Sequence, residues 1–205
     1  MADAPDTESA PARRGRPGYD REQILAITVQ VFNEQGYDAT SVAALADRLG
    51  LTKAALYHHF DSKEQLLGVA LERALGGLEG VLRHPDAAAG PAIDRLEAVV
   101  RGAVEVLVAE LPSVTLLLRV RGNSAVERAA LDRRRAFDQR VTALVRQAQR
   151  EGSVRTDVSA AVVTRLIFGM VNSLVEWYRP GGAEGAAELA ADVLAVALDG
   201  IRTAG

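Results

Sequence analysis

SVAALADRLGLTKAALYHHF, residues 41–60, is the stretch whose reading decides the fold. Two short amphipathic runs flank Gly50, with Val42, Leu45, Ala46 and Leu49 before it and Leu51, Leu56 and Phe60 after it. Apolar residues recurring at steps of three and four mark one face of a helix. Glycine takes a positive φ at no steric cost, so the chain can turn sharply at Gly50. Ala46 is small enough for the two helices to cross closely, and Leu56 points back into the same small core. This is the pattern of a helix-turn-helix, whose second helix enters the DNA major groove. The apolar pattern alone also fits an αα-hairpin in an ordinary bundle, so the polar face of the second run has to decide.

That second run is Thr52, Lys53, Ala54, Ala55, Leu56, Tyr57, His58, His59 and Phe60. With Leu56 inward, Thr52, Lys53, Ala54, Tyr57 and His58 lie at or near the outward face. Ala54 lets the helix approach base edges, and its methyl can touch a thymine methyl; Lys53 can reach a base acceptor or a phosphate. The polar tips of Tyr57 and His58 suit phosphate oxygens, which position a protein without reading sequence. Lys63 opens the next helix, where a cation opposes the helix dipole. Stability does not account for it there, whereas a bound phosphate does.

Residues 40–67, TSVAALADRLGLTKAALYHHFDSKEQLL, resemble the signature of TetR-family transcriptional regulators, and the likeness reaches back to about residue 20. The resemblance implies an all-α homodimer in which each subunit carries a three-helix DNA-binding head and a larger helical body for ligand binding and dimerisation. Carried over by position, Thr40, Ser41, Thr52, Lys53, Ala54, Tyr57, His58, His59 and Lys63 match DNA-contacting positions. His59 fits packing against a neighbouring helix equally well.

Composition agrees with an all-α chain and limits the alternatives. Among 205 residues there are no cysteines, so disulfides and thiol-ligated metals are excluded. Alanine, valine and leucine in long periodic runs favour helices. The net charge of −3 places any DNA footprint on one local face. The N-terminus has no apolar signal segment, and no run of eighteen uninterrupted apolar residues occurs. A cytoplasmic protein with no membrane partner is expected. Residues 1–18 are read as a disordered arm, in which Arg13, Arg14 and Arg16 make a slim basic segment suited to a narrow minor groove.

Residues 19–65 are assigned to the head and 66–205 to the body. Asp20 with Gln23 forms a capping-box start for the first helix, which Gly36 ends. Thr40 or Ser41, then Thr52, then Asp61 or Ser62 offer the next three caps. The fourth helix is expected to weaken at Gly76, Gly77 and Gly80, with residues 84–91 as a loop. Helical patterns follow over 93–110, 125–151, 158–178 and 184–202, with a short apolar stretch at 114–120.

No enzyme is expected. His58 and His59 are adjacent, so their side chains diverge by about 100° on a helix, whereas a helical zinc pair needs a spacing of three or four. No nucleophile elbow or phosphate loop occurs, and neither a metal nor a cofactor is anticipated. The stripes on 158–178 and 184–202 are too wide for one-sided packing. A two-fold four-helix bundle through Val162, Leu166, Met170, Leu174, Leu189, Val193, Val196, Ala197 and Ile201 would cover them. Such a dimer sets two recognition helices roughly 34–36 Å apart on a palindromic operator.

The family's usual inducer pocket would draw on Leu107, Leu111, Leu116, Leu117, Phe137, Leu144, Phe168, Asn172, Glu176 and Trp177, each of which can equally be core. The run GMVNSLVEWYRPGG, residues 169–182, resembles members that sense CoA thioesters. The expected ligand is small and apolar or amphipathic, with a CoA thioester as the specific candidate. The expected function is a repressor released from its operator by that ligand. Set against it stand a regulator without an inducer, an activator, a helical-bundle enzyme, and a helical interaction protein without DNA binding.

Overall fold

A computed structural model describes residues 19–182 and 185–199. Arg13, Arg14, Arg16 and Ile201 lie outside the described residues. The elements are α1 (Arg21–Gln35), α2 (Val42–Leu49), α3 (Lys53–His59), α4 (Lys63–Arg83), α5 (Pro85–Ala88), α6 (Ala92–Ala109), α7 (Leu111–Arg119), α8 (Ala125–Arg150), α9 (Ala160–Trp177) and α10 (Ala186–Asp199). No strand occurs among the described residues.

Local sequence sets the boundaries of the head. Asp20 accepts from the backbone N–H of Gln23 at 2.8 Å while Gln23 accepts from that of Asp20 at 3.1 Å, closing the capping box of α1. Ser41, Thr52 and Ser62 cap α2, α3 and α4 through the N–H of the residue three places on. Gly50 takes φ 63° and ψ 30°, the left-handed conformation that the turn between α2 and α3 requires. Ile24, Leu25, Phe32, Leu45, Leu49, Leu56 and Phe60 close a small core over this turn.

The glycines of α4 do not weaken it; the helix is continuous to Arg83. Gly77 among them serves close packing on α6. A Cβ on Gly77 would stand 2.8 Å from Val106 Cγ1, and one on Gly102 would stand 2.8 Å from both Cγ atoms of Val81. A glycine on each helix thus receives a valine from the other. Residues 84–91 also differ from the expected loop, because Pro85 starts the one-turn α5, with the His84 imidazole accepting from the Asp86 N–H. The start of α6 is capped at a distance, since its first N–H, from Ala92, donates to the Glu151 carboxylate at the end of α8 at 2.7 Å.

In the body, α4, α6, α8 and α9 surround one core, with α7 wedged between α4 and α1, and α10 packed on α6 and α9. α4 is shared by both parts, packing on α1 as well as on α6, α7 and α8. α9 is, among the described residues, the one helix long and apolar enough to cross a membrane. Its apolarity serves two faces: Val163, Ile167, Phe168, Val171 and Leu174 are in the core, while Val162 and Leu166 lie outside it.

Candidate nucleic-acid interface and ligand cavity

On α3, Leu56 is buried and anchors the helix, while Thr52, Lys53, Ala54, Tyr57 and His58 are exposed together. His59 is half-buried, its ring edge-on to His58 at 5.6 Å between centroids. Ser41 is exposed at the start of α2. The outward row therefore combines a cation, a methyl and three polar tips on a helix held by caps at its start and by the core beneath. Arg21, at the start of α1, lays its guanidinium 4.8 Å from the Phe60 ring centroid and ties α1 to the end of α3.

Two expected contact residues have other work. Thr40 is only 1% exposed, and its hydroxyl donates to the Gly36 carbonyl at 2.7 Å, so its side chain is closed off from a duplex. Lys63 does have a structural reason for its position. Its ammonium donates to the carbonyls of Tyr37 and Thr40, each at 2.9 Å, and lies 4.2 Å from the Tyr37 ring centroid. These contacts offset the unfavourable dipole at the start of α4 and pin the turn between α1 and α2. Burial, then the carboxylates of Glu64, Glu127 and Asp38, push the Tyr37 hydroxyl above its ordinary pKa, so the ring stays neutral beside the lysine.

Two of the body's cavities adjoin. An apolar chamber of about 40 Å³ is lined by Leu78, Ala103, Leu107, Val114, Leu117 and Phe137, among others from α4, α6, α7, α8 and α9. Its volume admits no more than a few waters, so it is close to shut. Outside it, a groove of about 620 Å³ runs between α8 and α9 past Arg134, Arg135, Arg146 and Arg165. Arg134, Asp138, Phe168 and Asn172 line both cavities and form their junction. There Phe137 and Phe168 meet edge to face at 5.3 Å. Asp138 is exposed to the groove, and the desolvation of its carboxyl against the neighbouring helices raises its pKa from the ordinary value, against the downward pull of Arg134 and Arg165.

Of the expected liners, Leu107, Leu117, Phe137, Phe168 and Asn172 are at the chamber. Leu116 and Leu144 are buried, and Leu111 packs against the core, but none of the three lines the chamber. Glu176 is exposed and Trp177 is 51% exposed at the outer end of α9, because the helix has turned that face away from the cavity. From sequence, the arginine-rich segment 119–150 reads as a solvated helix face, with contact to CoA phosphates as the other reading, and nothing there joins Arg134 to Asp138 and Arg165. The available signal was the placement of Arg165 and Asn172 seven residues apart on an otherwise apolar helix, two turns along the same face.

The expected dimer stripe also divides. Leu174, Leu189, Val193 and Ala197 are buried where α9 and α10 pack within the chain. Val162, Leu166 (65% exposed) and Val196 (67% exposed) remain as an outer apolar face, joined by Trp177, with Met170 half-buried beside it. Among the described residues no group of three or more His, Cys, Asp or Glu side chains is placed to hold a metal ion.

The head geometry and the helical body define a helix-turn-helix transcriptional regulator, and comparison with known proteins specifies which kind. The chain belongs to the TetR family of bacterial transcriptional regulators: the sequence model described as "Bacterial regulatory proteins, tetR family" matches residues 24–70, and "Tetracyclin repressor-like, C-terminal domain" matches residues 89–201. The HTH-type transcriptional repressor KstR2 of Rhodococcus jostii is 30% identical over 96% of this chain and 96% of its own. SCO3833, a TetR-family member from Streptomyces coelicolor, is 52% identical, with a TM-score of 0.82 over 88% of this chain and 91% of that one. AibR, solved with isovaleryl coenzyme A and operator DNA, shares the fold at a TM-score of 0.72 and 22% identity, over 87% of this chain and 97% of its own.

Proposed function

We propose that this protein is a homodimeric repressor that binds a palindromic operator through α3 and is released by an amphipathic, anionic small molecule, with a CoA thioester as the leading candidate. Ser41, Thr52, Lys53, Ala54, Tyr57 and His58 form the DNA-contacting row, with His59 at its edge. Thr40 and Lys63 position it, and the Arg13, Arg14 and Arg16 arm reaches the adjacent minor groove. Val162, Leu166 and Val196 meet their copies across the two-fold axis. The protein acts in the bacterial cytoplasm and performs no chemistry of its own.

One observation carries the ligand half: the chamber wall is hydrogen-bonded to the head. Val114, Leu117 and Leu118 of α7 line the chamber. At one end of α7 the Asn33 amide donates to the Pro112 carbonyl at 2.8 Å; at the other, the Arg119 guanidinium donates to the Asn33 carbonyl at 2.6 Å. Asn123, just before α8, donates to Asp38 at 2.7 Å, and Arg133 of α8 pairs with Glu72 and Glu79 of α4 at 2.6 and 2.7 Å. A ligand larger than this chamber of about 40 Å³ has to displace its walls; of these, α7 is hydrogen-bonded to α1 and α8 is ion-paired with α4. A ligand that prefers the opened chamber therefore shifts the population away from the head spacing that DNA selects. AibR is a protein of this fold captured with isovaleryl coenzyme A and operator DNA together.

The test is fluorescence anisotropy of a labelled operator with saturating protein and increasing acyl-CoA of varied chain length. Release by at least one chain length at a concentration that leaves random-duplex binding unaltered is expected. Operator occupancy unmoved by every acyl-CoA would contradict the ligand class.

A further inference from the structure

We infer that Asp138, at the junction of the α8–α9 groove and the chamber, imposes a like-charge penalty on an anionic ligand that pairs with the groove's arginines, and so sets the concentration at which the protein responds. The inference rests on the ligand-released reading above.

Four residues line both the groove and the chamber, and three of them suit an amphipathic anion. Phe168 meets the apolar part, Asn172 can hydrogen-bond it, and Arg134 meets its charge. Asp138 is the exception. A carboxylate at the junction repels the headgroup that must pass it, so a pocket shaped only for tight binding would not contain one.

The arginines explain its presence. Arg134 and Arg165 act on Asp138 through their fields, yet Asp138 closes no ion pair or hydrogen bond with either among the described residues. Arg134 donates instead to the Leu117 carbonyl at 3.2 Å, at the end of the chamber wall. Arg165 makes no hydrogen bond or ion pair among the described residues. The groove's charge is thus balanced by proximity and not locked by geometry. Ligand oxygens can take both guanidiniums in charge-assisted hydrogen bonds, against a fixed like-charge penalty from Asp138. A neutral amphiphile neither gains those bonds nor meets that penalty.

The test uses full-length, DNA-free protein as wild type, Asp138→Asn and Arg165→Gln, each checked by circular dichroism melting. Titration calorimetry compares dodecanoyl-CoA with dodecyl maltoside, which has the same chain and no charge, both below their critical micelle concentrations. Asp138→Asn should bind dodecanoyl-CoA roughly tenfold tighter and the maltoside within about twofold of wild type. Arg165→Gln should weaken only the CoA thioester. Unchanged or weaker dodecanoyl-CoA binding by Asp138→Asn would overturn the inference, as would equal tightening of both probes or no binding of either probe by any variant. Operator release is scored separately on the same samples. A probe that binds as expected but leaves the operator occupied contradicts the release reading alone, and the Asp138 comparison still stands.

Discussion

The Lys63 ammonium and the Tyr37 ring stack at 4.2 Å, and the same ammonium donates to the Tyr37 carbonyl at 2.9 Å. A residue at the first position of α4 thereby fixes the α1–α2 turn at two points, 26 and 23 residues earlier. The contact braces the start of α4, directly after α3, against the turn before α2. Lys63→Ala should destabilise the DNA-free protein by about 1.5–3 kcal/mol, the scale of hydrogen bonds from a charged donor. It should also weaken binding to operator and random duplexes alike. Chemical denaturation with paired anisotropy titrations checks both; unaltered stability with weaker DNA binding would show that the lysine serves phosphate alone.

The approach of Gly77 to Val106 makes a different kind of prediction, one of sign. An alanine at position 77 gains roughly 1 kcal/mol of helix propensity but drives a methyl into a β-branched side chain, at a cost of about 1–3 kcal/mol. Gly77→Ala alone should lower the melting temperature. In a Val106→Ala background the same change should raise it.

Glu79 supplies a pH dependence. The hydrogen bond from Arg133 holds its carboxyl below the ordinary carboxylate value of 4.5. A depressed folded-state pKa contributes stability that is present above the unfolded value and is lost as the pH falls through the folded one. Melting temperature followed from pH 7 down to pH 3 should therefore fall less steeply for Glu79→Gln than for wild type below about pH 4.5. Parallel curves would mean that the α4–α8 clamp carries no linkage.

Lys53 and Ala54 should set sequence preference. Lys53→Ala is expected to cost about 1–3 kcal/mol on the operator and much less on random duplex. Equal losses on both would reduce Lys53 to a phosphate contact.

The outer face of α9 and α10 should set the oligomeric state. Leu166→Glu, at a side chain 65% exposed in the single chain, should yield a helical monomer by light scattering and circular dichroism. An intact dimer would move the interface elsewhere.

The head was legible in the sequence because its signals are local: a cap, a turn glycine and an apolar repeat act within a few residues, and Asp20, Ser41, Gly50, Thr52 and Ser62 all occupy the roles their types suggest. Long-range partners were not legible. Lys63 read as a phosphate ligand because Tyr37 is far away in sequence, and Gly77 read as a helix breaker because Val106 belongs to another helix. On α9 and α10 the wide apolar stripes pointed to more than one apolar face without saying which residues turn inward. Leu174 and Leu189 went to the chain's own core, and Trp177 went outward. The groove escaped notice because its arginines, on α8 and α9, look like solvated helix faces when each helix is read alone.

The central claim is that α3 reads DNA as one of a symmetric pair, and selection of genomic fragments by the purified protein tests it most directly. Recovery of a small set of inverted repeats with half-sites about one helical turn apart is expected, and these should be lost from the selection when the protein carries Leu166→Glu. Fragments without a shared inverted repeat, or an unaltered set recovered by that variant, would contradict it.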